Sequence, residues 1–279
     1  MKALLCANAS KVFKRWQKVK DNGNPCLFER VKNTVSRRRE DVRAVDDICF
    51  NVGKGEIFGI VGPNGSGKST LIRLICTLLL PDSGTIEVFG HDVVKQHFHV
   101  RRIINRVSVE ASFFKKLSSM ENLMYAARLY GIDPTAAKRE AVEILSRLGF
   151  KEDRVNESMQ ELSRGMQQKV AIARAILTSP SLLLMDEPTT GLDPRSKRDV
   201  QKFVRELRDA EDTTIVVTSH DMDEVDRLCD RVAIIDEGRF IALDTPGELK
   251  RLVRSDVEGV SIEDVFMKLT GRGLEEADR

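Results

Sequence analysis

The most constraining feature of the sequence is an apolar run, Ile57 to Val61, that leads directly into Gly62-Pro63-Asn64-Gly65-Ser66-Gly67-Lys68-Ser69-Thr70 and then into a second apolar run from Leu71. Strand, glycine-rich loop and helix in that order form a P-loop, a device for holding polyphosphate. Its glycines let successive N–H groups turn inward, and the helix that follows directs its positive end to the same point. Pro63 has no N–H, so the donors must come from Gly65 through Thr70. Lys68 adds a charge toward the β- and γ-phosphates, and Ser69 is placed to ligate Mg²⁺. A match to this pattern arises by chance in roughly one chain of this length in a hundred, so independent support is needed.

That support comes from the second half of the chain. Leu182 to Met185 is a four-residue apolar run ending at Asp186-Glu187. Two carboxylates at the C-terminal end of a buried strand lie where doubly wound sheets bind ligands. Asp186 can hold a metal, often through water, and Glu187 can polarise a water for in-line attack. Together with Ile215 to Val217, these runs predict a mainly parallel sheet, buried on both faces, with crossover helices. The clearest helix opens at Asp133-Pro134 and sets Ala137, Ala141, Ile144, Leu145 and Leu148 on one face before Gly149 stops it.

At Leu162-Ser163-Arg164-Gly165-Met166-Gln167-Gln168-Lys169 the chain resembles the signature motif of ABC ATPases, which general P-loop kinases and GTPases lack. The resemblance runs from Val42 to Arg272. It adds Gly191-Leu192-Asp193, similar to the family's D-loop, and Thr218-Ser219-His220, similar to its switch histidine. It implies an α/β P-loop NTPase fold with a mainly parallel core sheet, a small antiparallel β-subdomain and an inserted α-helical subdomain at about 105–178. The ATP-binding domain is expected over 1–243, with a short C-terminal extension and polar tail over 244–279. That ending, with Asp244-Thr245-Pro246-Gly247-Glu248-Leu249, looks like the ATP-binding subunits of type-two ABC exporters, which serve drug, polysaccharide or lipid export.

The resemblance also assigns roles. ATP and Mg²⁺ are the implied cofactors, with Glu187 as general base and His220 at the γ-phosphate. Gly62 through Thr70 contact the nucleotide, Ser163, Gly165 and Asp193 act across an ATP-sandwiched homodimer, and Ser69 and Asp186 hold the metal. An integral-membrane permease is the implied partner, engaged through a groove beside residues 105–130. Phe13 is the candidate adenine platform, with Trp16 in reserve. Two positions depart from the pattern. Arg164 stands where the signature has glycine; it is strained if that position needs a positive φ, and otherwise its charge helps bind phosphate. The family's Q-loop glutamine falls at Val109, and Glu110 beside it is the expected substitute metal ligand, the other reading being a slow or weakly coupled ATPase.

Composition sets the remaining limits. Among 279 residues, 45 Lys and Arg face 43 Asp and Glu. The charge is nevertheless uneven, because residues 1–43 carry twelve basic and four acidic side chains. Most of that excess lies in an insertion at 14–41, expected to be a solvated loop or, in the sharper reading, a contact with an anionic membrane face or the permease. No run approaches the ~18 apolar residues of a membrane span, and a secretory signal is not expected. Five cysteines without a CxxC pair fit reduced thiols in a cytoplasmic protein. The alternatives are a soluble ABC ATPase in assembly or nucleic-acid remodelling, and a weakly hydrolysing dimerisation module; a nucleic-acid partner is not the expectation.

Overall fold

The computed structural model describes residues 1–18, 37–108, 112–254 and 259–271, together with Gly273. Six strands form the central sheet: β3 (Ile57–Val61), β6 (Ile104–Val107), β7 (Leu182–Asp186), β8 (Thr214–Ser219), β9 (Arg231–Asp236) and β10 (Arg239–Asp244). Their spatial order is β10-β9-β3-β8-β7-β6, parallel throughout except for β10 at one edge. The three runs expected to be buried on both faces are β3, β7 and β8, and every residue of each is buried.

Strand pleating sorts these side chains into two cores. Phe58, Ile60, Leu182, Leu184 and Val216 face one way, and Ile57, Val61, Leu183, Met185, Ile215 and Val217 the other. The first set meets a four-stranded antiparallel sheet of β1 (Lys2–Lys18), β2 (Arg37–Gly53), β4 (Ser83–Val88) and β5 (His91–Asp92), in the order β2-β1-β4-β5. Phe50 stacks on Phe58 there, with ring centroids 5.2 Å apart, and each such fully buried side chain is worth about 1.5–3 kcal/mol. Helix α1 (Lys68–Ile75) lies in this layer and α2 (His97–Ile103) borders it.

The second set is covered by helices. Within the inserted block, α3 (Ser119–Leu129), α4 (Pro134–Arg147) and α5 (Arg164–Ile176) pack on one another. Asp133 caps α4 by accepting from the Ala136 N–H at 2.9 Å, and the expected face of Ala137, Ala141, Ile144 and Leu145 is buried. Then follow α6 (Pro194–Glu211), α7 (Met222–Leu228), α8 (Pro246–Arg251) and α9 (Ile262–Thr270). The last two add Leu249, Ile262, Val265 and Phe266 to the same core.

The basic insertion differs from a loop where it is described. Lys14 to Lys18 and Arg37 to Asp41 continue the β1–β2 ladder, pairing Lys14 with Asp41, Arg15 with Glu40 and Lys18 with Arg37. Charge density led to the expectation of a loop, but a ladder is held by main-chain groups, and the opposite charges at Lys14–Asp41 and Arg15–Glu40 support the pairing, whereas Lys18 opposite Arg37 does not. Residues 19–36 lie outside the described part. Cys6, Cys49, Cys76 and Cys229 are unpaired, and burial pushes the Cys6 and Cys76 thiols up to about 12, which makes them poor nucleophiles.

Candidate nucleotide-binding site

The loop at 62–67 packs closely against neighbouring backbone at Gly62 and Gly67. Gly67, at φ 110°, lies so near β2 that a Cβ there would come within 2.1 Å of the Ala44 carbonyl oxygen, so only glycine fits. It is also the N-cap of α1 and provides no side-chain cap, which leaves the first-turn amides available to an anion. Lys68 is only 4% exposed. Its Nζ donates to the carbonyl oxygens of Gly62 at 2.7 Å and Pro63 at 2.9 Å, and these contacts hold the ammonium at the loop centre. The Ser66 hydroxyl is buried with no hydrogen-bond partner among the described residues, a donor of the kind a bound phosphate would satisfy.

Strand order brings the acidic pair to this loop, because β8 lies between β3 and β7. Ser69 Oγ donates to Asp186 Oδ1 at 3.0 Å, and Thr218 Oγ1, at the end of β8, donates to the same oxygen at 2.8 Å. Neighbouring oxygens of an octahedral Mg²⁺ shell with bonds of about 2.1 Å are separated by about 3.0 Å. Ser69 and Asp186 therefore fit the metal.

Glu187 adopts φ 48°, a left-handed conformation that costs about 1–3 kcal/mol in a non-glycine residue. Its N–H donates to both the carbonyl oxygen and the hydroxyl of Thr218, at 3.0 and 3.1 Å. The side chain is thereby aimed back at the loop, with Oε1 3.7 Å from Lys68 Nζ. Oε2 accepts from Thr190 Oγ1 at 3.0 Å and lies 3.2 Å from His220 Nδ1. A carboxylate and an imidazole thus converge beside the loop, an arrangement able to orient and deprotonate a water.

Ser163, Gly165 and Asp193 form a second cluster. Ser163 caps α5 by accepting from the Met166 N–H at 3.3 Å. Asp193 caps α6 by accepting from the N–H groups of Arg195 and Ser196, each at 3.0 Å. The Ser196 side chain and these amides hold its carboxyl below the usual carboxylate range. Gly165 packs against both Ser196 and Asp193. Arg164 has no positive φ, so no strain arises there. Its guanidinium covers Gly191, where a Cβ would stand 2.9 Å from Nη1. Buried Lys169 pairs with Asp199 at 2.7 Å and ties α5 to α6.

Phe13, on β1, lies opposite Val42 of β2, the strand that carries Ala44 past the loop, and is 38% exposed. Glu110 and Val109 lie outside the described residues, as does the side chain of Trp16. Sequence reasoning passed over the individual roles of Thr218 and Thr190. It also missed a buried acid, Glu224 in α7, whose position four residues after His220 was the only available signal.

The family model described as ABC transporter matches residues 45–190. The daunorubicin/doxorubicin resistance ATP-binding protein DrrA of Streptomyces peucetius is 43% identical over 236 residues, covering 85% of this chain and 71% of that protein. The ABC transporter ATP-binding protein NatA of Bacillus subtilis (strain 168) is 39% identical over 244 residues, covering 86% and 97%. A solved ATP-binding subunit of an ABC transporter superposes with a TM-score of 0.75 at 26% identity, covering 96% and 99%. MJ1267, an ATP-binding cassette of an ABC transporter solved in its ADP conformation, gives 0.72 at 26% identity with the same coverage. By the family match over half its length and relatives at up to 43% identity, this chain belongs to the ABC transporter family as an ATP-binding ATPase subunit.

Proposed function

We propose that the chain binds and hydrolyses Mg·ATP to drive an exporter, dimerising across the nucleotide and passing the motion to a separate membrane permease. The observation that carries this reading is the convergence of Lys68, Ser69, Asp186, Glu187 and His220 on one loop. Lys68 and the α1 amides bind the triphosphate. Mg²⁺, held by Ser69 and Asp186, supplies charge neutralisation at the β- and γ-phosphates when bound. Glu187 accepts the proton of an attacking water, and His220, turned by its Nδ1 contact to Glu187, presents Nε2 to the γ-phosphate. The cluster of Ser163, Gly165 and Asp193 is the half-site that a second copy would bring to the same nucleotide. Phe13 is the proposed adenine platform.

The exporter reading draws on relatives named for drug resistance and for Nod factor export in Burkholderia orbicola (strain AU 1054), the latter 37% identical over 232 residues and 83% of this chain. No helix among the described residues is long and apolar enough to cross a membrane, so a permease would supply the spans and hold this subunit at the cytoplasmic face. The proposed docking place is a cleft of about 390 Å³ lined by Phe113, Phe114, Tyr125, Leu129, Tyr130 and Arg174. Phe114, Tyr125, Leu129 and Tyr130 are all exposed, and such aromatic-rich patches suit a partner helix.

Glu187→Gln tests the mechanism. It should reduce turnover at least about a hundredfold and trap an ATP-dependent dimer on size exclusion, so a variant that stays monomeric at saturating ATP contradicts it. The basic β1–β2 arm is proposed to face the anionic membrane surface. Deleting residues 17–40 should weaken binding to anionic vesicles in low salt, and unchanged binding would remove that role.

A further inference from the structure

Glu224 is 2% exposed, on the helical side of the central sheet. Three side chains from three different elements surround its carboxylate. Thr189 Oγ1 lies 2.8 Å from Oε1 and 2.7 Å from Oε2. Ser219 Oγ donates to Oε2 at 2.9 Å, and Gln201 Nε2 donates to Oε1 at 3.3 Å. Thr189 is in the loop that carries Glu187, Ser219 ends β8 immediately before His220, and Gln201 is on α6, the helix that Asp193 caps.

A buried carboxyl group is expensive to desolvate, and an aliphatic side chain would fill the same space at lower cost. What the acid adds is geometric definition, because its donors fix the loops from which they come. One connection runs from Glu224 through Thr189 to adjacent Thr190, whose hydroxyl holds Glu187 Oε2 at 3.0 Å. Another runs through Ser219, whose Oγ also accepts the Asp221 N–H at 3.0 Å, so the main chain is held on both sides of His220. A third reaches α6 through Gln201, reinforced by the ion pair of Lys197 with Asp221.

We propose that Glu224 is a positioning residue that sets the separation of Glu187 and His220 and ties both to the D-loop helix α6. It touches neither nucleotide nor water itself. The proposal rests on the reading of Glu187 and His220 as the hydrolytic pair.

The test uses the full chain, with steady-state ATPase rates expressed per nucleotide-competent site, counted by stoichiometric titration with a fluorescent ATP analogue. Thr189→Val and Glu224→Ala should lower kcat about ten- to hundredfold, the range expected for losing a hydrogen bond to a charged group in the transition-state geometry, with KM within about twofold. Glu224→Gln keeps one carbonyl acceptor among hydroxyls that can also accept, and should recover most of the lost kcat. If Glu224→Ala does not fold, Thr189→Val, which keeps β-branched volume, carries the test. Unchanged kcat per competent site in Thr189→Val, a parallel rise in KM, or a Gln variant as slow as the Ala variant overturns the proposal. The wild type and Glu187→Gln are measured alongside. A wild type without turnover sinks the hydrolytic reading and this proposal with it, whereas an active wild type beside unaffected variants sinks this proposal alone.

Discussion

Replacing Thr218 with valine would remove one hydroxyl from the middle of the site while leaving the shape of β8 intact. Thr218 is fully buried, and valine is also β-branched, so packing and strand preference should change little. Two hydrogen bonds disappear, and they are not equal. The bond to Asp186 Oδ1, at 2.8 Å, goes to a carboxylate, a class worth about 1.5–3 kcal/mol. The bond from the Glu187 N–H has a substitute already in place, since the Thr218 carbonyl oxygen lies 3.0 Å from the same donor. The expected loss of stability is therefore about 2 kcal/mol, or about 3–4 °C in Tm for a chain of this size. Asp186 Oδ1 would keep only Ser69 of these two donors, so the Mg²⁺ concentration for half-maximal ATPase should rise several-fold. Calorimetric unfolding of the nucleotide-free chain and a Mg²⁺ titration of turnover measure the two effects separately. A Tm within about 1 °C of wild type, together with an unchanged Mg²⁺ requirement, would refute the claim that this hydroxyl organises the acidic pair.

Two other expectations follow from the same geometry. Burial pushes the Asp221 carboxyl up, but its hydrogen bonds to Lys197 and the Glu224 N–H outweigh that effect and leave it below the usual carboxylate range. Its stabilisation is therefore present above the unfolded pKa and lost as pH falls through the folded one. Asparagine can still cap α7, so the stability gap between wild type and Asp221→Asn, followed by urea unfolding, should narrow as pH is lowered from about 6 to about 3; a constant gap would show that the charge contributes nothing. Phe13→Ala should weaken ATP affinity by about 1–3 kcal/mol if the ring carries the adenine, and equal losses for ATP and inorganic triphosphate in a competition assay would show that it does not.

Local sequence made the cradle and the acidic pair legible because their constraints are local. Glycine at Gly67 answers a backbone contact, and Leu182 to Asp186 reads as a buried strand whichever strands lie beside it. Thr218 and Glu224 were not legible in the same way. The partners of Glu224 lie as far as 35 residues away in the chain, and Thr218 reaches Asp186 only because β8 is inserted between β3 and β7. The arm was misread for another reason. Charged residues at Lys14 to Lys18 and Arg37 to Asp41 suggest a loop when each segment is considered alone, and only their pairing shows that Lys14 faces Asp41 and Arg15 faces Glu40.

The position of β8 makes its six residues a ruler. Ile215 and Val217 point into one core and Val216 into the other, while Thr218 registers against Asp186 on one side and Ile60 on the other. Adding or deleting one residue anywhere along it would exchange the two faces and carry the hydroxyl away from the acid in a single step. Chains descended from the same ancestor should therefore vary in length at their surface connections and keep this strand's count fixed.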